Sequence, residues 1–298
     1  MRRASIITVL GYLIEVNCCI FYSNYVTASG GAIRVTDVES GLICTNCVFS
    51  NCTSTKTHGA ILFEAKSSYA YISECYFENC DATDTNVAEI KSNNSSVRFI
   101  TIANCGMKKM CTNHGFTMFN GNQTMTHSNI SNTYASHFSG LIMKTPQNSM
   151  NLGFIHVSNH RLAEFNYGFY SMPAGIMTQY VNIINNSVVY SLVYLYSTNN
   201  IILSHYIFKS NTGSLSSTSS SWPGTCTYID CMFLESSYPK GSYVSTIINP
   251  VYLTDPPTYQ CHDFKNSSCS ESIRECPTLL KQSNIILISY LSMYLVLW

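Results

Sequence analysis

A five-residue phrase that recurs about every 25 residues most constrains how this chain can fold. Residues 47–51 (CVFSN) recur as 75–79 (CYFEN), and weaker copies follow along the chain. The positions equivalent to the last residue of the phrase are Asn51, Asn79, Asn104, Asn132, Asn159, Asn186, Ser210 and Glu235. Their spacing of about 24 to 28 residues is typical of a solenoid or another repeat array.

The phrase alternates like a β-strand. Its fourth position is mostly small or polar, whereas its third position is apolar in every copy. The third-position residues are Phe21, Phe49, Phe77, Ile102, Ile130, Val157, Ile184, Phe208 and Phe233. A period of two indicates a strand with one buried face and one exposed face.

Each coil also has a recognisable opening, such as Gly30-Gly31 or His58-Gly59, where glycine lets the backbone turn before another apolar strand. A coil therefore runs from this turn through two strands to the asparagine corner and a variable loop. We predict an all-β fold, a single-stranded right-handed parallel β-helix (a pectate-lyase-like solenoid) of about eight to nine coils. The corner asparagines would form a structural ladder, hydrogen-bonded along the axis.

Composition gives no support for a nucleic-acid partner and does not decide whether the cysteines are free thiols or disulfides. Lys+Arg and Asp+Glu both number 16, so no basic field favours nucleic acid. The chain has 14 cysteines, several of them at the first position of the phrase or directly after its asparagine. They form either columns of reduced, buried thiols or bridges between neighbouring coils. In the tail, Cys261, Cys269 and Cys276 are better disulfide candidates.

The chain divides into four segments by its pattern. Residues 1–16 are a signal peptide or an N-terminal cap, and an N-terminal strand or a missing beginning are the alternatives. Residues 17–250 form the repeat domain, and residues 251–284 are a cysteine-containing linker. Residues 285–298 are a hydrophobic C-terminal segment.

The hydrophobic end has three interpretations. Extended back to residue 279 it is a membrane anchor in which Lys281 lies at the interface, although the apolar run is short for a span. It can also be a signal for lipid attachment that is removed, or a cap over the end of the solenoid. We expect an extracellular or cell-surface protein, with residues 279–298 as its candidate membrane anchor.

Carboxylates give little support for catalysis. Cleavage of a glycoside needs two facing carboxyl groups, and the six aspartates are scattered. Asp81 and Asp84 share one loop, where we expect a solvated turn. We therefore assign no catalytic residue.

Metal and cofactor motifs are equally weak. Cys44 and Cys47 have the spacing of a metal or redox pair but lack a second pair. His156 and His160 would not converge on a strand followed by a corner. We expect no metal and no cofactor.

Several asparagines lie in Asn-x-Ser/Thr motifs. Those in predicted loops or in the tail, which are the better candidates for glycosylation in a secreted chain, are Asn94, Asn122 and Asn266.

Two short motifs carry a family resemblance. The Gly-Gly-Ala-Ile motif at 30–33 and the Phe-x-Ser-Asn motifs at 21–24 and 208–211 resemble repeats of the polymorphic outer membrane proteins of chlamydiae. The Cys-x-Phe-x-Asn-Cys variant at Cys47 and Cys75 is similar to β-helix surface proteins of parasitic protists such as trichomonads. The likeness covers most of residues 17 to 250. It implies a surface-displayed, non-catalytic solenoid used in adhesion or host contact.

We therefore expect a non-catalytic binding or adhesion module whose partner is a surface glycan or protein. An exposed ridge of tyrosine and asparagine suits such a contact, because both combine flat surface with hydrogen-bonding groups. The alternative is a carbohydrate-active β-helix enzyme, a lyase or hydrolase. It would require acidic residues from adjacent coils to converge in one groove.

Overall fold

The computed structural model describes residues 7–8, 13–36, 39–106, 114–147, 149–173, 175–197, 199–219, 221, 224–234 and 244–250. Its architecture is a parallel β-solenoid of about eight turns. The all-β solenoid predicted from the repeats is thus confirmed, and its right-handed winding stays a prediction.

The strands are two to 14 residues long, and several of the longer ones take part in two ladders. In chain order they are β1 (Ile7–Thr8), β2 (Ile14–Asn17), β3 (Ile20–Tyr22), β4 (Tyr25–Val26), β5 (Ile33–Val35), β6 (Leu42–Thr45), β7 (Val48–Ser50), β8 (Thr53–Ser54), β9 (Ile61–Ser73), β10 (Tyr76–Glu78), β11 (Thr85–Arg98), β12 (Thr101–Ala103), β13 (His114–Phe119), β14 (Asn122–Ser131), β15 (Phe138–Lys144), β16 (Met150–Ser158), β17 (Arg161–Tyr170), β18 (Met177–Ile184), β19 (Ser187–Tyr196), β20 (Ile201–Ser204), β21 (Ile207–Lys209), β22 (Thr212–Thr218), β23 (Cys226–Ile229), β24 (Met232–Leu234) and β25 (Val244–Ile248).

Each strand pairs in parallel with its counterpart one coil away, which gives three ladders. The first ladder runs through β2, β6, the second half of β9 and of β11, the first half of β14, of β16 and of β18, then β20, β23 and β25. The second contains the phrase: β3, β7, β10, β12, the second half of β14, of β16 and of β18, then β21 and β24. The third contains β1, β5, the first half of β9 and of β11, then β13, β15, β17, β19 and β22. The short strands β4 and β8 pair separately.

Two corners flank the second ladder, and both use left-handed backbone. A residue with φ near +50 to +60° stands before the phrase and another stands five positions later, in eight successive coils. These pairs are Cys18 and Ser23, Asn46 and Asn51, Glu74 and Asn79, Phe99 and Asn104, His127 and Asn132, Phe154 and Asn159, Tyr180 and Asn185, and His205 and Ser210. Asparagine tolerates this conformation better than most residues, which explains its preference for the second corner.

The glycine openings allow adjacent coils to approach closely. A Cβ on Gly31 would lie 1.8 Å from the carbonyl oxygen of Gly59, and a Cβ on Gly59 would lie 2.0 Å from that of Asn86. No side chain fits between these backbones, so the glycines are required by contact rather than by φ alone.

The register corrects the sequence alignment in one coil. Val157 pairs with Ile183, and Ile183 pairs with Phe208, so Ile183 and not Ile184 is the buried member of the apolar column. Asn185 likewise holds the second corner, whereas Asn186 lies one position beyond it. The two adjacent asparagines made the sequence ambiguous by one residue.

Stacked like residues fill the interior. The rings of Phe21, Phe49 and Phe77 lie parallel with centroids 4.8 Å apart, which is the spacing of adjacent strands. The remaining column members lie inside as predicted, at Ile102, Ile130, Val157, Phe208 and Phe233. The ten cysteines among the described residues carry free thiols. Columns of reduced thiols are therefore the interpretation that holds in this part of the chain.

The terminal predictions fall mostly outside the described residues. Strands β1 and β2 extend the parallel pairing into the segment 1–16. The linker 251–284 and the hydrophobic segment 285–298, including the proposed anchor and the cysteines of the tail, lie outside the described residues. In the part of the chain that is described, no helix has the length and hydrophobicity to cross a bilayer.

Candidate binding surface

An aromatic cluster covers the outer side of the third ladder. We name it the aromatic face and define it by the following side chains from β15, β17 and β19: Phe138, Phe165, Tyr170, Tyr190, Tyr194 and Tyr196. Tyr190 is 55% exposed, and its neighbour Val189 is 64% exposed. Large exposed aromatic and aliphatic side chains grouped on one sheet are a feature of interaction surfaces.

A glycine allows the face to form. Gly168 faces outward in β17, and a Cβ there would lie 2.8 Å from the Phe138 ring. The ring therefore occupies the space of the missing side chain, and it packs against Phe165 with centroids 5.1 Å apart. The half-buried Tyr194 packs on Phe165 at 4.3 Å, and the exposed ring of Tyr190 lies 5.6 Å from the same Phe165.

Two lysines extend the face along the same outward column. Lys144 Nζ lies 4.8 Å from the ring centroid of Phe119 and 4.9 Å from that of Tyr170, and Lys91 Nζ lies 5.2 Å from Phe119. Cations over ring faces are attracted by the negative face of the π-system. Burial lowers the pKa of Lys144 from its usual range, and the carboxylates of Glu89 and Asp84 oppose that shift.

At its other end, this column carries an ion-pair cluster. Lys91 Nζ lies 2.6 Å from Glu64 Oε1 and 2.5 Å from Glu89 Oε1, and His58 Nε2 lies 3.4 Å from Glu89 Oε1. Burial alone would raise the pKa of Glu89, but its contacts with His58 and Lys91 lower it to about 2. Carboxylates from adjacent coils thus do converge, which the aspartate pattern did not predict.

The chemistry of this cluster is that of an ion pair rather than of a glycosidase. Glycoside hydrolysis needs one carboxylic acid with a raised pKa to protonate the leaving oxygen. Glu89 is ionised near neutral pH because its pKa is about 2, and both carboxylates are bound to the same ammonium group. The arrangement favours positioning of Lys91 over proton donation.

A shallow groove of about 300 Å³ lies on the first ladder, away from the aromatic face. Gly153 leaves the notch at its centre, since its register neighbours Thr126 and Gln179 both carry side chains. The rest of its lining is Arg98, Thr124, His127, Asn151 and Phe154. Along its edge, five rings stack at 4.8 to 5.0 Å through the first corner, namely Phe99, His127, Phe154, Tyr180 and His205. Because neighbouring rings cover each other's faces, this stack presents mainly ring edges to solvent.

The predicted asparagine column has a backbone role at the second corner. Asn51, Asn79, Asn104, Asn132 and Asn159 all have left-handed φ and are half-buried. Their backbone N–H groups donate to backbone oxygens of the next coil at 2.9 to 3.2 Å. The bond from Asn104 to the Ser131 oxygen, 3.2 Å long, is an example. Among the hydrogen bonds described for this column, one joins the side chains of two corner asparagines in adjacent coils, from Asn185 Nδ2 to Asn159 Oδ1 at 2.6 Å.

A buried side-chain ladder instead occupies the position after the corner. Asn186 is its centre: its N–H and its Nδ2 both donate to Asn211 Oδ1, at 2.9 and 3.1 Å, and its Oδ1 accepts from the N–H of His160 at 3.0 Å. His160 Nε2 continues the series to Thr133 Oγ1 at 3.2 Å. The same position holds Cys52, Cys80 and Cys105 in earlier coils, and there the N–H of Cys80 donates to Cys105 Sγ at 3.4 Å.

The remaining candidates lie apart from the aromatic face. The loop placement predicted for Asn94 and Asn122 is wrong, because they pair with each other in strands β11 and β14. Asn94 is exposed and Asn122 is half-buried, so their glycosylation stays a prediction, while Asn266 lies outside the described residues. Asp81 is only 2% exposed and its N–H donates to the Cys52 oxygen at 3.0 Å, so the expected solvated turn is wrong for Asp81. Asp84 is half-buried.

Comparisons with protein-family models, with curated proteins and with solved structures give no match for this chain. The architecture and its surfaces are therefore the basis for any functional argument.

Sequence reasoning missed the surface that the third ladder presents. Glu64, Lys91, Lys144 and Tyr170 occupy one outward column in successive coils, with Phe119 between the lysines. The signal was available as a charged or aromatic residue at the equivalent position of β9, β11, β13, β15 and β17. It was hidden because the third ladder lacks a recurring phrase that would align its copies.

Proposed function

We propose that this chain is a non-catalytic binding protein that recognises carbohydrate through the aromatic face. The observation that carries the proposal is the group of tyrosines on the outer side of β17 and β19, built on a buried base of Phe138 and Phe165. A rigid base holds the exposed rings in place and reduces the entropy lost when a ligand binds.

Tyrosine suits a sugar for two reasons. Its ring packs against the apolar side of a pyranose, and its hydroxyl group bonds to sugar hydroxyls. Lys144, over the ring of Tyr170, adds one cation at the border of the face, which favours an oligosaccharide that carries a carboxylate or sulfate.

A cell-surface or extracellular location completes the proposal, and adhesion is the role that would follow from it. Its support is the sequence resemblance of the short motifs to surface β-helix proteins and the hydrophobic segment at 285–298. Protease treatment of intact cells that express the chain, with and without residues 279–298, provides the test. Release of fragments from the full-length form alone supports display through the tail, whereas protection of both forms contradicts display.

The binding test uses a printed array of neutral and acidic oligosaccharides with the full chain. We expect a subset of acidic oligosaccharides to bind, and the double variant Tyr190→Ala/Tyr194→Ala to lose at least about tenfold in affinity, as loss of aromatic anchors does. Tyr69→Ala is the matched control, because Tyr69 is an exposed tyrosine of the first ladder. Equal binding by the double variant and the wild type, or no binding by either, would contradict the proposal.

The enzyme alternative has its own observation, the convergence of Glu64 and Glu89 on Lys91. It predicts that the wild type releases new sugar ends from an acidic polysaccharide and that Glu89→Gln abolishes the release. We expect no release by either protein, because the ionised Glu89 lacks the proton that hydrolysis needs. Release that depends on Glu89 would replace the binding proposal by the enzyme.

A further inference from the structure

Three buried cysteines converge inside the solenoid between its first coils. The Sγ atoms of Cys44, Cys47 and Cys75 all lie within 4.8 Å of one another, and the distance between those of Cys44 and Cys75 is 3.8 Å. None of the three side chains is exposed. Among the described residues they are the one group of three or more potential ligands with such proximity.

Two inward columns meet at this point. Cys47 and Cys75 stack at the first position of the phrase, in register through their neighbours Val48 and Tyr76. Cys44 comes from β6, on the other side of the first corner. Its register neighbours in that column, Val16 and Ile72, are aliphatic, and the half-buried Cys19 continues the first-position stack beyond Cys47.

The spacing of the sulfur atoms suits a metal ion. A triangle with sides between 3.8 and 4.8 Å has its centre roughly 2.2 to 2.8 Å from each corner, and a zinc–thiolate bond is about 2.3 Å long. A metal ion at this centre would reach all three sulfur atoms with small side-chain rotations and no change in the backbone.

We propose that Cys44, Cys47 and Cys75 form a three-thiolate site for a soft d10 metal ion of the zinc(II) or copper(I) class. Thiolate ligands select these ions over magnesium or calcium. On binding, each thiol that becomes a ligand releases its proton to solvent and donates a sulfur electron pair to the ion, with no change of oxidation state. The proposal is independent of carbohydrate binding.

A second group of three cysteines lies in a single column and cannot surround one metal ion. Cys52, Cys80 and Cys105 lie one above another in the position after the second corner, and all three are buried. In a single file, the first and third members are separated by two strand spacings, about 9.6 Å. They cannot share one ion, so they provide an internal comparison for the site.

Burial determines how the site must be loaded. The three sulfur atoms are closed off from solvent, so the ion would enter as the coils form, and its binding would be coupled to folding. The test therefore refolds the full chain under reducing, oxygen-free conditions with zinc(II) or, in a parallel arm, copper(I). Bound metal per chain is then measured by mass spectrometry after removal of free ion.

Each variant replaces a cysteine by the residue that occupies the same position in a neighbouring coil, so that the fold is kept. Cys44→Val copies Val16, and Cys75→Ile copies Ile100, its neighbour in the next coil. Cys105→Thr copies Thr133 and is the control. We expect wild type and Cys105→Thr to hold about one ion per chain more than either Cys44→Val or Cys75→Ile.

The readout is the difference in bound metal between variants, because it cancels any metal ion held non-specifically by the other cysteines. Cobalt(II) in place of zinc should show a thiolate charge-transfer absorption that Cys44→Val reduces and Cys105→Thr retains. The refolding experiment, with zinc(II) or with copper(I), in which the site variants hold less metal than the wild type identifies the ion. If wild type and both folded site variants hold equal metal in both arms, the three cysteines are only small apolar core residues and the proposal is wrong.

Discussion

At the scale of single residues, His160 shows how the interior accepts a titratable group. Its Nδ1 lies 2.9 Å from Ser139 Oγ, and its Nε2 lies 3.3 Å from the Ile130 oxygen. Since a carbonyl can only accept, Nε2 carries the proton and Nδ1 accepts from the Ser139 hydroxyl group. The neutral ring is therefore satisfied, whereas a second proton on Nδ1 would place a charge in the buried interior and would require the Ser139 hydroxyl group to accept instead of donate.

The protonation of His160 predicts a loss of stability in acid. Burial lowers its pKa from 6.5 to about 3, so between these values the unfolded chain binds a proton that the native state does not. The contribution is complete above pH 6.5 and decreases toward pH 3, by about 1.4 kcal/mol per pH unit at most. His160→Asn, which extends the ladder of Asn186 and Asn211, should reduce this slope in urea unfolding measured from pH 7 to 4.

His156→Asn is the matched control, because His156 is a half-buried residue of the neighbouring strand β16. Burial also lowers the pKa of His114 to about 3, so part of the slope should remain in the His160 variant. Identical slopes for His160→Asn and the wild type would contradict this role of His160.

At the scale of elements, stability comes from columns that run through several strands. Phe49 in β7 packs against Phe21 in β3 and Phe77 in β10, both at 4.8 Å and nearly parallel. Each column member therefore has a neighbour above and below, and a gap in the middle removes two contacts. Phe233 in β24 packs against Phe208 at 5.3 Å and is 6% exposed, whereas Phe49 is fully buried.

Phe49→Ala should destabilise the solenoid more than Phe233→Ala. Truncation of a buried phenylalanine costs about 3 to 5 kcal/mol, and the cavity at Phe49 is closed on both sides by stacked rings. Urea unfolding followed by circular dichroism compares the two variants. A larger loss for Phe233→Ala would show that the middle of the column is not the more strongly packed part.

At the scale of the whole molecule, each coil contacts mainly the coils before and after it, so stability is approximately a sum over coils. The two left-handed corners recur in equivalent positions, as at Asn132 and Asn159. The residue after each of these corners, Thr133 or His160, enters the same interior column. One coil can therefore be removed without a change in the phase of the others.

Removal of residues 133–159 should give a shorter, folded chain, because Asn132 would then join to His160 at an equivalent position. Removal of residues 133–144 is the control, since it deletes β15 but leaves the rest of that coil out of phase. We expect a β-type circular dichroism spectrum and a cooperative thermal transition for the first deletion only. Loss of both features in the full-coil deletion would contradict the additive description.

The sequence was sufficient for the architecture but not for the surfaces. The phrase of the second ladder recurs strongly because corner backbone and inward packing both restrict its residues, as at Phe49 and Asn51. The first corner accepts cysteine, glutamate, phenylalanine and histidine alike, so no repeat marked it. Since no recognisable residue marks the first corner at Tyr180, the sequence could not show which of the adjacent Asn185 and Asn186 lies five residues beyond it. The contact of Cys44 with Cys75 depends on two columns that meet across a corner, which linear spacing does not reveal.

The constant five-residue separation of the two corners also restricts how the gene for this chain can vary. One extra codon between Asn46 and Asn51 would turn the side chains beyond it to the opposite side of the strand. In the loops between the ladders the length does vary, since Cys18 to Asn46 spans 28 residues and Glu74 to Phe99 spans 25. Natural alleles should thus differ in length outside these short segments, and the inherited variation would be concentrated where the chain meets its surroundings.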